Sequence, residues 1–122
     1  MSQSNFYNLS ICIPTYNRSS HLANVIEKFI PIIKNKNIEI VISDNNSSDN
    51  TTDVLAPFLD KYSFIKYYKN DFNIGLDLNF LNAIEKSNSN YCWLFSDDDI
   101  PLESSINNIL ENIKFHPVLV YF

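Results

Sequence analysis

Three carboxylates stand side by side at Asp97-Asp98-Asp99, directly after Ser96 and the apolar run Tyr91-Cys92-Trp93-Leu94-Phe95. Adjacent anions repel one another and lose solvation if covered. The chain is net −5, and no basic partner is visible beside them. Capture of a divalent cation answers that problem. Carboxylate oxygens are hard ligands, suited to Mg²⁺ or Mn²⁺ rather than to a soft metal. In an extended chain Asp97 and Asp99 face one side and Asp98 the other. Two acids would then meet one ion and the third is free for another role. A plainer role is also open. Asp99 can cap a helix that begins Ile100-Pro101-Leu102-Glu103, with Asp97 and Asp98 as solvated loop residues.

Strand-like and helix-like stretches must position these acids. The run before them reads as a strand buried on both faces. If it is parallel to its neighbours, the acids lie at its carboxyl end, where open α/β sheets bind ligands. Similar runs occur at Leu9–Ile13, Ile38–Ser43, Phe64–Tyr68 and Val118–Phe122, the third half polar and nearer an edge. Between them lie apolar stripes at helical spacing. The first is Leu22, Val25, Ile26, Phe29, Ile30 and Ile33. The second is Val54, Leu55, Phe58 and Leu59, and the third Leu76, Phe80, Leu81 and Ile84. The last is Leu102, Ile106, Ile109, Leu110 and Ile113. Ser19 or Ser20 is expected to cap the first helix, Pro31 to bend or end it, and Pro57 to disturb the second. The alternation predicts an α/β fold, a mostly parallel sheet with helices on both faces. The loops at 14–18, 44–49 and 96–99 then share the carboxyl ends of strands.

Bulk properties narrow the classes. The 122 residues make one domain or part of a larger one. The polar residues 1–8 are expected to be disordered and 9–122 to form the domain. Stopping inside an apolar strand points to a chain truncated before a further part. Hydrophobic residues at 45% are enough for a core. The negative charge argues against nucleic acid as a partner. No run is long enough to span a bilayer. The N-terminus lacks a secretory pattern, so a cytoplasmic location is expected, with membrane association only through missing parts. Cys12 and Cys92 lie in apolar runs and read as two buried thiols rather than a disulfide. Gly75 is the only glycine, which excludes a glycine-rich phosphate loop. His21 and His116 have no metal-ligand company and read as surface residues.

Ile13-Pro14-Thr15-Tyr16-Asn17-Arg18, then Val41-Ile42-Ser43-Asp44-Asn45-Asn46-Ser47-Ser48-Asp49, then the acids near residue 98, follow one another in a known order and spacing. From Leu9 to about Pro101 the chain resembles a family 2 glycosyltransferase of the GT-A fold. The resemblance implies the donor-binding part of a metal-dependent, inverting transferase. Its donor would be a nucleotide sugar, UDP-linked, and its acceptor a glycan or a lipid-linked molecule. Asp44 is implied to accept the N3–H of uracil, with an Asx turn or helix cap as the competing role. Pro14, Thr15 and Tyr16 would wall the base, Tyr16 offering a stacking face. Arg18 either approaches the diphosphate or is simply solvated. Asp97, Asp98 and Asp99 resemble the family's DxD-type acids, which hold the Mn²⁺ or Mg²⁺ that bridges the donor phosphates. Asp99 or Asp98 is the favoured direct ligand, and Asp97 and Asp98 also adjoin the nucleotide. The register stays open, because Ser96 stands where many members carry the first acid.

Asn73-Ile74-Gly75 resembles the family's N-x-G segment, which adds Asn73 and Gly75 to the nucleotide site. For Gly75 a helix-start turn of unusual φ is the other reading. Leu78 stands where many members carry an Arg. The form Gly75-Leu76-Asp77-Leu78-Asn79 resembles a bacterial abequosyltransferase-like subgroup. The catalytic base is expected downstream, so nucleotide binding with little transfer is expected of this chain. Two other classes share features. A receiver- or phosphatase-like domain also gathers aspartates around Mg²⁺, but it needs an acid after the first strand, where this chain has Pro14-Thr15-Tyr16. A noncatalytic nucleotide-binding module shares the motifs and differs only in turnover.

Overall fold

Leu9, Ile11 and Ile13 alternate with Ser10 and Cys12, and Ile38, Ile40 and Ile42 alternate with Glu39 and Val41. In strands that alternation sends the two sets to opposite faces. The computed structural model, which describes residues 6–115, shows two packed faces of this kind. Its elements are β1 (Leu9–Thr15), α1 (Ser19–Ile33), β2 (Ile38–Asp44), α2 (Thr51–Lys61), β3 (Ile65–Lys69), α3 (Leu76–Glu85), β4 (Cys92–Leu94) and α4 (Glu103–Ile113). The sheet order is β3-β2-β1-β4 and every pair is parallel. One face packs the isoleucines of β1 and β2 against the α1 stripe, Leu55 of α2, and Ile106 and Ile109 of α4. The other packs Cys12 and Val41 against Ala83 of α3. Helices therefore cover both faces, as expected. Each fully buried Ile, Leu or Phe contributes about 1.5–3 kcal/mol to the hydrophobic term.

β4 departs from expectation. It is short and half-buried, with Leu94 48% exposed, because it is an edge strand among the described residues. Phe95, just beyond it, is buried and packs edge-on to Phe29 at 4.8 Å. Cys92 is likewise half-buried rather than buried, while Cys12 is buried, and both are free thiols. The expected strand at 118–122 and His116 lie outside the described residues. Residues 6–8 are not loose. The N–H groups of Tyr7 and Asn8 donate to the carbonyls of Asn88 and Asn37 at 3.0 and 2.9 Å.

Neither proline ends its helix. Pro31 and Pro57 lie inside α1 and α2. Pro31 costs one backbone bond in a last turn that Ile30 and Ile33 already pin to the core. α3 is rotated from the predicted stripe. Leu76 and Leu81 are exposed, whereas Asn79 and Ala83 are buried. The buried asparagine is satisfied by polar partners on β2, which apolar counting does not see. Glu39 is buried at the other end of the sheet. Its carboxylate accepts Ser10 Oγ at 2.6 Å and faces Lys66 Nζ at 3.4 Å, so the buried charge is paired.

Candidate functional site

The loops after β1 and β2 are joined by side chains. Asn17 adopts φ 52°, a left-handed conformation that Asn tolerates. Its Oδ1 accepts the N–H groups of Ser48 and Asp49 at 2.7 and 3.2 Å, and its own N–H donates to Ser47 Oγ at 2.8 Å. Asp49 sits between two helix starts. It accepts Thr51 N–H at 3.1 Å, Thr51 Oγ1 at 2.5 Å and Ser19 N–H at 3.3 Å. The Thr51 hydroxyl bond holds the Asp49 carboxyl below the usual carboxylate range. Ser19 does not cap α1. Its hydroxyl donates to Asn50 at 2.8 Å, and Arg18 occupies the cap position without a side-chain cap bond to the helix.

Asp44 is fully buried at the end of β2. Oδ1 accepts Ser47 N–H at 2.9 Å and Ser47 Oγ at 2.6 Å, while Oδ2 accepts the Tyr67 hydroxyl at 2.5 Å. Ser47 thus forms the local turn that competed with the base-binding role. One lone pair on Oδ2 is left by these contacts.

The acids form a turn, not an extended run, for Asp99 N–H donates to Ser96 C=O at 3.3 Å. Asp97 is only 6% exposed, and Thr15 Oγ1 donates to its Oδ2 at 2.9 Å. Arg18 supplies the basic partner that the sequence does not reveal. Its Nε lies 3.3 Å from Asp97 Oδ1 and its Nη2 2.7 Å from Asp98 Oδ2. Arg18 is therefore paired rather than merely solvated. Burial pushes the Asp97 carboxyl above the usual range and outweighs the Thr15 bond and the Arg18 charge. Asp98 is exposed, and the Ser96 hydroxyl, with Arg18, holds it below that range. Asp99 is exposed and does not cap α4, whose cap position is Leu102. Its Oδ1 accepts Ile100 N–H at 2.9 Å.

No group of three acidic, His or Cys side chains among the described residues is arranged as a cage for a metal. Mg²⁺ and Mn²⁺ are commonly held by one or two carboxylates plus substrate phosphates. The exposed neighbours Asp98 and Asp99 fit a shared site of that kind. Asp97 fits it less well, being buried with both oxygens engaged.

The loop after β3 is held by amides, and the sequence reading missed this. Asn45 Oδ1 accepts Ile74 N–H at 2.8 Å, and its Nδ2 donates to Asn73 Oδ1 at 2.9 Å. Asn79 Nδ2 donates to Ser43 C=O at 2.8 Å, while its Oδ1 accepts Ser43 Oγ at 2.6 Å and Asn70 Nδ2 at 2.9 Å. Asn82 donates to Asn70 and to Ser43 Oγ, both at 3.0 Å. The crowding of Asn into these loops is the signal that could have exposed the network. Gly75 has φ 87° at the start of α3, and a Cβ there would meet nothing within 4 Å. Backbone conformation, not space, requires the glycine.

A cleft of about 500 Å³ opens at the carboxyl ends of β1 and β4. It is lined by Pro14, Thr15, Tyr16 and Arg18 of the first loop, by Ser96 and Asp97, by Asn45, and by Leu76, Asn79 and Phe80 of α3. Tyr16 is 46% exposed. Asp98 and Asp99 stand in the turn beside it, but Asp44, Asn73 and Gly75 do not line it. Asp44 lies under Ser47 and Tyr67, and Asn73 and Gly75 are engaged with Asn45. The arrangement offers an aromatic face, a guanidinium and adjoining carboxylates around one opening, a set suited to an anionic ligand with a flat ring.

The sequence profile of glycosyl transferase family 2 matches residues 10–122. An abequosyltransferase, RfbV, of Salmonella typhimurium is 40% identical over 105 residues, 80% of this chain and 30% of its own length. A GalNAc(5)-diNAcBac-PP-undecaprenol beta-1,3-glucosyltransferase of Campylobacter jejuni is 31% identical, over 84% of this chain and 33% of its own. The chain thus spans about a third of the length of these relatives. Among solved structures, S. aureus TarS residues 1–349 with UDP superposes with a TM-score of 0.78 at 19% identity, over 89% of this chain and 32% of that one. The mannosyltransferase PcManGT of Pyrobaculum calidifontis, with GDP-Man and Mn²⁺, superposes with a TM-score of 0.76 at 14% identity, over 92% and 34%. Both share the GT-A fold.

Proposed function

Because this chain belongs to glycosyl transferase family 2, we propose that it is the donor-binding part of an inverting transferase that uses a UDP-linked sugar. The observation that carries this is the meeting of Tyr16, Arg18 and the Asp97–Asp99 turn at one cleft. Tyr16 presents its ring to the base. Asp44, buried beneath Ser47 and Tyr67, would meet the uracil N3–H through its remaining Oδ2 lone pair once the Tyr67 hydroxyl moves aside and opens the end of β2 to the cleft. Asn73 and Gly75 contribute through the loop that Asn45 holds beside α3. Asp98 and Asp99 would hold a Mn²⁺ or Mg²⁺ ion. Such an ion, when bound, neutralises charge on a departing nucleoside diphosphate.

The names of the relatives support a bacterial glycan or a lipid-linked acceptor, the undecaprenol-linked substrate of the Campylobacter jejuni protein above all. No helix among the described residues is long and apolar enough to cross a membrane. We place the work in the cytoplasm, at the inner membrane face where a lipid-linked acceptor is presented. The base that activates the acceptor hydroxyl is not assigned to any described residue. Calorimetric titration of the full chain with UDP and GDP, each with and without Mn²⁺, tests the reading. UDP is expected to bind more tightly than GDP and to tighten with Mn²⁺. Absence of affinity for either nucleotide in both arms overturns it.

A further inference from the structure

We propose that Arg18 is an internal counter-cation, occupying the acidic turn until a divalent cation and a nucleoside diphosphate bind together, and then transferring its guanidinium to the diphosphate. The inference rests on the donor-binding reading above and adds the origin of metal–nucleotide coupling to it.

Arg18 reaches across from the first loop to the fourth, with Nη2 2.7 Å from Asp98 Oδ2 and Nε 3.3 Å from Asp97 Oδ1. Of the two Asp98 oxygens, Oδ1 accepts a neutral hydroxyl, that of Ser96 at 2.6 Å, and Oδ2 accepts the guanidinium. A hydroxyl rotates away at little cost, but a guanidinium at contact distance repels any second cation. Arg18 must therefore release Asp98 before a divalent cation can share it. The side chain is free enough to do so. It is 42% exposed, its backbone is fixed at the start of α1, and only its long stem needs to turn. It also lines the same cleft as Tyr16.

The charge count explains why release needs two ligands. The turn holds three carboxylates against one guanidinium. A divalent cation alone gains Asp98 but forfeits the ion pairs of Arg18, so the net gain is small. With a diphosphate present, the released guanidinium meets oxygens whose geometry its planar fork matches bidentately. Asp97 stays behind, fixed by Thr15. By linkage each ligand then tightens the other by one common factor.

The test is titration of the full chain with Mn²⁺, with and without UDP, for the parent, Arg18→Gln and Arg18→Lys, with circular dichroism as the check on folding. The inference expects changes of opposite sign in Arg18→Gln. Mn²⁺ alone binds about three- to tenfold more tightly, the range two partly exposed ion pairs cover. UDP in the presence of Mn²⁺ binds more weakly, and the coupling factor shrinks. Arg18→Lys keeps the charge and stays nearer the parent in the Mn²⁺-alone arm. A role in folding alone would weaken both arms together. If the parent shows coupling and Arg18→Gln leaves Mn²⁺-alone affinity unchanged or weaker, the counter-cation is overturned while the donor site stands. If neither protein binds Mn²⁺ in either arm, the metal part of the donor reading falls, and this inference with it. Should Arg18→Gln fail to fold, Arg18→Lys decides. With the charge kept and the bidentate fork lost, its coupling factor drops below the parent's, and an unchanged factor overturns the proposal.

Discussion

The Tyr67 hydroxyl donates to Asp44 Oδ2 at 2.5 Å and lies 2.9 Å from Thr52 Oγ1, so one phenol ties β3, β2 and α2 together at the carboxyl end of the sheet. Tyr67→Phe is expected to cost about 1–3 kcal/mol, because a buried carboxylate loses a donor. Urea denaturation measures this. Burial, reinforced by Asp44, pushes the Tyr67 phenol up to about 12 from an ordinary 10.0. The native chain therefore keeps a proton that the unfolded chain gives up. The stability this supplies is complete below pH 10 and lost as pH rises towards 12. The phenylalanine variant is expected to lose less stability than the parent over that interval, and equal losses would remove Tyr67 as the cause.

Asp44→Ala is expected to weaken UDP binding by about 1–3 kcal/mol and to leave Mn²⁺ dependence little changed. It also orphans Ser47 and Tyr67, so it will destabilise the chain. Circular dichroism checks that the alanine variant stays folded at the titration temperature. Calorimetry that finds UDP affinity unaltered in the folded alanine variant takes Asp44 out of base recognition.

Asp49→Ala removes the acceptor of Thr51 and Ser19 at once. A cost of about 1 kcal/mol is expected, as for a lost helix cap. The Asp49 carboxyl is held low in the folded chain, so its contribution is present above the ordinary carboxylate range. It disappears as pH falls through the folded value. Melting curves of parent and variant should accordingly converge in acid and separate at neutral pH.

The acidic turn is resolved by three single substitutions. Asp99→Asn and Asp98→Asn are expected to abolish most of the coupling between Mn²⁺ and UDP while nucleoside binding stays nearly intact. Asp97→Asn, at a buried position held by Thr15, is expected to change thermal stability more than Mn²⁺ affinity. Adjacent acids can substitute for one another, so double variants complete the comparison. Three variants that bind Mn²⁺ and UDP as the parent does would leave the turn without a metal role.

The order of strands and helices was legible because Leu9–Ile13 and Ile38–Ser43 are short, mostly apolar runs rich in isoleucine, and α1 carries a regular stripe. Convergence of the first, second and fourth loops followed from parallel topology alone. The Arg18 contacts did not follow, because ion pairing across 80 positions depends on loop geometry that no spacing encodes. The α3 rotation was hidden for a different reason. Apolar periodicity assumes that the buried face is greasy, and here Asn79 is buried because Ser43 and Asn70 satisfy it. Gly75 was legible as a turn, since a lone glycine before a helical stripe has few other uses.

The two sides of the cleft are held by different forces. Asn45, Asn70, Asn79 and Asn82 fasten the α3 side through uncharged amides, whereas Arg18 fastens Asp98 through an exposed ion pair. Dissolved salt screens exposed charges over about 8 Å at physiological strength and hardly touches neutral hydrogen bonds. Raising ionic strength is therefore a one-sided lever. It weakens the hold on Asp98 while the amide jaw keeps its shape, and Asp97, on the Thr15 hydroxyl, and Phe95, packed against Phe29, keep their neutral contacts.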